Sequence, residues 1–233
     1  MTRAEMLAEL KRVLRETTYD AAWGDTLLEA YLAEGQDKFC EDTGYFVDHT
    51  NYTVTTVVGQ ADYELDERII QVMEVWNGTT RLGKFQQSDL GYNRANAWNA
   101  LDNPVETSDS YCWQSDLETG VLTLYPTPTT VRTLNLRVWR YARRPLNTSY
   151  MNDDDPPVSV SVEPEIPKRF RRAPIHWAAF RALSHHDMEQ QDKIKASDHL
   201  AIYTNIKNEG RTAFERTMGR RVSVSPDPCY VGV

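Results

Sequence analysis

Val131-Arg132-Thr133-Leu134-Asn135-Leu136-Arg137-Val138-Trp139-Arg140-Tyr141 is the stretch that decides the fold class. Leu134, Leu136, Val138 and Arg140 fall on every second position, so a pleated strand places them on one face. Strand character extends upstream. Val121-Leu122-Thr123-Leu124-Tyr125 closes at Pro126-Thr127-Pro128, and Tyr111-Cys112-Trp113 precedes it. Arg68 to Trp76 ends in Asn77-Gly78, a strong hairpin signal. Tyr52-Thr53-Val54-Thr55-Thr56-Val57-Val58 is β-branched and aromatic, and turns at Gly59-Gln60 into Tyr63 and Leu65. The polar stretch from Phe85 to Ala100, with scattered aromatics, is expected to contain a short helix within this β-module of roughly Asn51 to Tyr141.

Outside these limits the period becomes helical. Thr2 and Glu5 have capping-box spacing, followed by Met6, Leu7, Leu10, Val13 and Leu14 on one stripe. Asp25 is expected to cap a second helix carrying Leu27, Leu28, Tyr31, Leu32 and Phe39, stopped by Gly44. After the strands, Asn152-Asp153-Asp154-Asp155-Pro156-Pro157 reads as a loop, without the spaced ligands and glycine of a calcium site. Helix resumes after Ile166-Pro167, with Phe170, Ala173, Trp177 and Phe180 as a core stripe; Pro174 either kinks that helix or begins it. Tyr203, Ile206, Gly210, Phe214 and Met218 mark a last helix ended by Gly219. The expected architecture is α+β. A helical bundle of N- and C-terminal helices (1–48 and 164–219) receives an inserted antiparallel β-sandwich or barrel-like module (49–163). An extended C-terminal tail (220–233) follows.

Of the 233 residues 40% are hydrophobic, and 6 Trp, 12 Tyr and 6 Phe add apolar area, enough for a core. A net charge of −8 argues against a surface that grips nucleic acid throughout. The charge is polarised. Met1 to Glu67 holds 15 Asp/Glu against 5 Lys/Arg, and Glu163 to Arg221 holds 12 Lys/Arg against 8 Asp/Glu. Such asymmetry suits subunits that meet acidic face to basic face. No stretch is apolar enough to span a membrane, the N-terminus does not read as a signal peptide, and Cys40, Cys112 and Cys229 suggest a reducing cytoplasm without a disulfide framework. The sequons at Asn51, Asn77 and Asn147 read as strand and turn chemistry.

Marks of catalysis are few: the chain has no GxG loop, no G-x-S-x-G elbow and no C-x-x-C pair. No cofactor is expected. His185, His186 and Glu189, with His199, form the best metal candidate; the simpler reading places the histidines at a helix end and makes Asp187 an N-cap. Lys168, Arg169, Arg171 and Arg172 make a basic run that could grip phosphate, but an intersubunit face against the acidic N-terminal helices suits it better.

The chain resembles the head-to-tail adaptor proteins of tailed bacteriophages, of the type with a β-module inserted in a helical bundle. The likeness rests on Leu27-Leu28-Glu29-Ala30-Tyr31 with Gln36, and on Val57 to Leu65 as a strand-Gly-Gln-strand hairpin. It also rests on Val72 to Gly78, on Leu122 to Pro128 with Leu134 to Tyr141 as paired strands, and on Ile166-Pro167 with Arg181 to Ser184 and Asp187. The resemblance implies a non-enzymatic virion protein in the neck, assembled in the host cytoplasm with no membrane partner. It implies a homo-oligomeric ring, commonly of twelve copies, beneath the portal protein. Such a ring docks tail or nozzle proteins and lets genomic DNA pass without sequence-specific binding. The tail is then expected to anchor to the portal or a neighbour through Arg220, Arg221, Val222, Val224 and Tyr230. A rival reading is a carbohydrate- or host-surface-binding module of a phage tail, using exposed Tyr92, Trp98 and Trp113. A metal-dependent enzyme is a third.

Overall fold

The computed structural model describes residues 1–14, 23–84, 112–116, 120–125, 127–143, 163–184 and 190–219. It is α+β, in two compact units. Of the described residues, one unit combines Met1–Phe46 with those from Tyr141 to Gly219, and the other holds those of Val47–Arg140.

In the first unit, helix α1 (Arg3–Leu14) opens with the expected capping box. The Thr2 N–H donates to Glu5 Oε2 at 2.8 Å and the Glu5 N–H to Thr2 Oγ1 at 3.3 Å. Helix α2 (Asp25–Thr43) is capped one residue earlier than predicted: Gly24 is the N-cap, and Asp25 is a first-turn acid beside Lys11, 2.5 Å away. It stops at Gly44, whose φ of 63° lets its N–H reach Cys40 O.

A 3-10 turn (Lys168–Phe170) leads into α3 (Arg172–Leu183). Pro174 lies in the first turn of α3, where its missing N–H would have had no intrahelical partner, so the proline costs the helix nothing. The core stripe is shifted from the expected one. Ala173, Ile175, Ala178, Ala179 and Ala182 are buried, whereas Trp177 and Phe180 are half-buried. These small residues permit close approach. A Cβ at Gly35 of α2 would lie 2.9 Å from Pro174 Cα, so only glycine fits that crossing. Helix α4 (Gln190–Gly219) packs along α3 and α2, burying Ala196, Tyr203 and Gly210. Met6, Leu10, Leu28 and Leu32 complete a core drawn from both ends of the chain.

The second unit holds nine strands among the described residues: β1 (Val47–Asp48), β2 (Thr53–Thr55), β3 (Asp62–Glu64), β4 (Ile69–Asn77), β5 (Thr80–Arg81), β6 (Gly83–Lys84), β7 (Cys112–Asp116), β8 (Val121–Tyr125) and β9 (Thr133–Arg140). One sheet runs β1-β9-β4-β5 with β2 also on β9, and the other runs β3-β8-β7-β6. Neither closes into a barrel among the described residues. Every pair is antiparallel except β6–β7. Parallel neighbours need a long connection, and residues 85–111 supply the length.

Alternation in β9 is as read: Leu134, Leu136, Val138 and Arg140 are buried. Two expected pairings are corrected. The Val57 to Leu65 segment is not a hairpin, because β2 pairs with β9 while β3 pairs with β8 in the other sheet. Likewise β8 and β9 flank the proline turn without pairing. Both sheets feed one core, with Val72, Leu134 and Leu136 from the first and Trp113, Leu122 and Leu124 from the second. Cys40 is a free, buried thiol, but Cys112 is disulfide-bonded, which runs against the expected absence of disulfides.

Candidate interaction surfaces

The basic run divides by the geometry of its tight turn. Arg171 points inward and is buried: its guanidinium donates to Ile166 O at 3.0 Å and Met1 O at 3.1 Å, and pairs with Glu163 at 2.9 Å. It is therefore not part of an exposed basic face. It ties the first residue of the chain to the segment leading into α3. Lys168, Arg169 and Arg172 remain exposed. Phe170 is fully buried against Phe39 and Tyr45, with ring centroids 5.5 and 5.6 Å away, and the Arg169 guanidinium sits 4.4 Å over its ring. The aromatics beside the basic residues are thus core and not stacking platforms for bases.

Arg169 and Phe170 form one wall of an open groove of about 630 Å³, whose other wall is α4. Asn205, Asn208, Thr212 and Arg216 recur at helical spacing along that wall, with Glu209 among them. Among the described residues no ion pair holds Arg169 or Arg216.

Helix α2 presents acids. Asp42 accepts from Tyr203 at 3.0 Å and lies 3.8 Å from Lys207 Nζ. Burial raises the Tyr203 phenol far above its ordinary range, with Asp42 adding to it. Burial works to raise the Glu41 carboxyl, but hydrogen bonds from Tyr141 and Lys38 outweigh it and hold the group below its usual value. Asp37 is open to solvent on one side yet crowded by protein atoms. That crowding, with neighbouring Glu41, pushes its carboxyl up to about 6.

His176 of α3 and His199 of α4 meet Nδ1 to Nδ1 at 3.0 Å, with ring centroids 5.3 Å apart and planes 28° from parallel. The spacing is that of two rings meeting head-on around a single proton. Burial, then His199 and Arg172, hold His176 down at about 4. Burial lowers His199 as well. His176 was not singled out in the sequence because its partner lies on another helix. No group of three His, Cys, Asp or Glu placed to hold a metal occurs among the described residues, and His185, His186, Asp187 and Glu189 lie outside them.

In the β unit, Val57, Val58 and Val131 are 50%, 59% and 66% exposed. They sit together at one end. The Tyr63 hydroxyl accepts from the Val57 N–H at 3.1 Å and donates to Gln60 O at 2.7 Å, pulling 57–60 out of the strand and into a turn. That turn is joined to 128–132 through Gly59 N–H to Pro128 O and Thr56 N–H to Arg132 O. Three valines on a braced tip form an apolar patch that a strand reading of Val57-Val58 conceals. Trp113, by contrast, is 1% exposed, with its indole N–H on Leu82 O, and offers nothing to a sugar. Tyr92 and Trp98 lie outside the described residues, as do Arg220, Arg221, Val222, Val224 and Tyr230.

Residues 1–225 match the family model described as SU10 adaptor protein. The chain belongs to that family. It is therefore a structural adaptor of a bacteriophage, in a family that associates with portal and tail proteins at the virion neck. A comparison with curated proteins found no match. No described helix of this adaptor is long and apolar enough to cross a membrane.

Proposed function

We propose that the protein is one subunit of a ring, of twelve copies, seated beneath the portal. The ring docks tail or nozzle proteins and surrounds the channel through which genomic DNA passes, and it assembles in the host cytoplasm. In this reading the four helices act as a bundle into which the β-module (49–163) is inserted as a sandwich, and the ring seam lies on the bundle. Lys168, Arg169 and Arg172 contribute to that seam. Arg220, Arg221, Val222, Val224 and Tyr230 anchor the tail to the portal or a neighbour.

The observation that carries the reading is the valine tip. Val57 and Val58 stand exposed on a turn held by the Tyr63 hydroxyl, with exposed Val131 on the 128–132 segment bonded to that turn. Such a patch marks a surface that becomes covered by another protein. Rigidity lowers the entropy lost when it does. The polarised charge supports the seam, since acidic and basic faces on one subunit favour association of unlike surfaces. Imaging the protein mixed with its portal tests the reading: it predicts a ring sharing the portal's axis, and a monomer that leaves the portal bare would refute it.

A further inference from the structure

The ring reading leaves open which surfaces meet. Two features of the helical unit bear on this, and they lie on different faces. The first is the groove between the 3-10 turn and α4. Arg169 and Arg216 outnumber its one acid, Glu209, and Asn205 and Asn208 add exposed amides that can donate hydrogen bonds. Arg169 is already oriented, because its guanidinium rests on the buried Phe170 ring. Less rotamer freedom then remains to be lost when it binds a carboxylate.

The second feature is the edge of α2. Asp37 and Glu41 stand one turn apart, each two residues from Phe39, which faces Phe170. Two residues are about 200° around a helix, so these carboxylates point away from the side that packs on Phe170. Like charges at this spacing repel. Glu41 has Lys38 and Tyr141 to satisfy it, but among the described residues no cation pairs with Asp37. Arg169, oriented on Phe170, and Arg216, neither in an ion pair among the described residues, form one half of a head-to-tail contact; the Asp37 end of the α2 edge, on a separate face, forms the other. A contact between unlike surfaces leaves one of each free after every addition and can therefore close into a ring.

We infer that the groove of one copy, through Arg169 and Arg216, receives the Asp37–Glu41 edge of α2 from the next copy. This deepens the ring reading and rests on it. The contact forms charge-assisted hydrogen bonds at a partly desolvated site, relieves the repulsion within α2 and weakens with added salt.

The test compares full-length wild type with Asp37→Arg, with Arg169→Asp/Arg216→Asp, and with all three changes combined. Assembly is followed by native mass spectrometry, alone and with the portal, and folding by circular dichroism. Each reversal should raise the concentration needed for half-assembly at least about tenfold while the helical signal persists, and the combination should recover most of the loss. Asp37→Asn should raise the melting temperature of the isolated subunit yet weaken assembly, an opposition that a merely structural role does not produce. Reversals that assemble like wild type, or a combination that recovers nothing, overturn this pairing and leave the ring intact. Wild type that stays monomeric even with the portal overturns the ring reading itself.

Discussion

The two units of this adaptor bury their cores by opposite means. The described part of the β unit falls within one stretch of sequence, Val47–Arg140, and its alternating Leu134, Leu136 and Val138 spell out the buried face directly. The helical unit draws on both ends of the chain and closes through small residues, with Gly35 against Pro174 and a run of alanines on α3. A large side chain announces its burial by hydrophobicity. A small one is buried because something else comes close, and that neighbour is remote in sequence. The β core should therefore tolerate changes of side-chain shape better than the helical core does, while neither tolerates a buried unpaired charge.

The largest effect is expected where a buried charge loses its partner. Arg140 and Asp48 are both buried and meet at 3.3 Å across β9 and β1. Arg140→Ala should cost about 3–5 kcal/mol in urea unfolding, and Arg140→Met with Asp48→Leu clearly less. Next comes close packing: Gly35→Val should cost roughly 2–3 kcal/mol, read as an earlier loss of the helical circular dichroism signal. A small cost there would mean that α2 and α3 are free to part.

A pH effect follows in size. His176 titrates near 6.5 when unfolded and at about 4 when folded, so between these values the unfolded chain binds more protons. Its contribution is full above about 6.5 and is lost as pH falls toward 4. The magnitude is on the order of 1 kcal/mol once discounted for the solvent that reaches the ring. Asp37 has the opposite sign: its carboxyl is raised from 3.8 to about 6, so its unfavourable contribution fades as pH falls through that range. A pH series of melting temperatures should thus be flatter for wild type than for Asp37→Asn, which exposes the histidine loss, and His176→Gln should remove that loss. The smallest effect on stability, within about 0.5 kcal/mol, belongs to Val57→Ser/Val58→Ser at the exposed tip, which should nonetheless weaken capture of virion partners in a binding assay.

Local chemistry was legible in the sequence. The Thr2–Glu5 box, the Gly44 stop and the β9 face are each decided by neighbours within a few residues. Pairing was not. Thr53 to Thr55 read correctly as a strand, yet its partner β9 lies far along the chain, so the assumed hairpin with β3 dissolved into two sheets. The tip was missed because Val57 and Val58 are strong strand formers, and a single hydroxyl at Tyr63 overrides that preference. Arg171 looked like its basic neighbours, but in a tight turn adjacent residues face different ways, and this one found the carbonyls.

Two separate surfaces should become covered when the adaptor assembles: the polar helix faces and the valine tip. Hydrogen–deuterium exchange of the free protein against the portal-bound protein tests this most directly. It predicts slower exchange at 34–42, at 205–216 and at 56–60 with 128–132, while the β4 and β9 strands keep their rates. Unchanged exchange at all of these surfaces, with slowing confined to the interior strands, would contradict it.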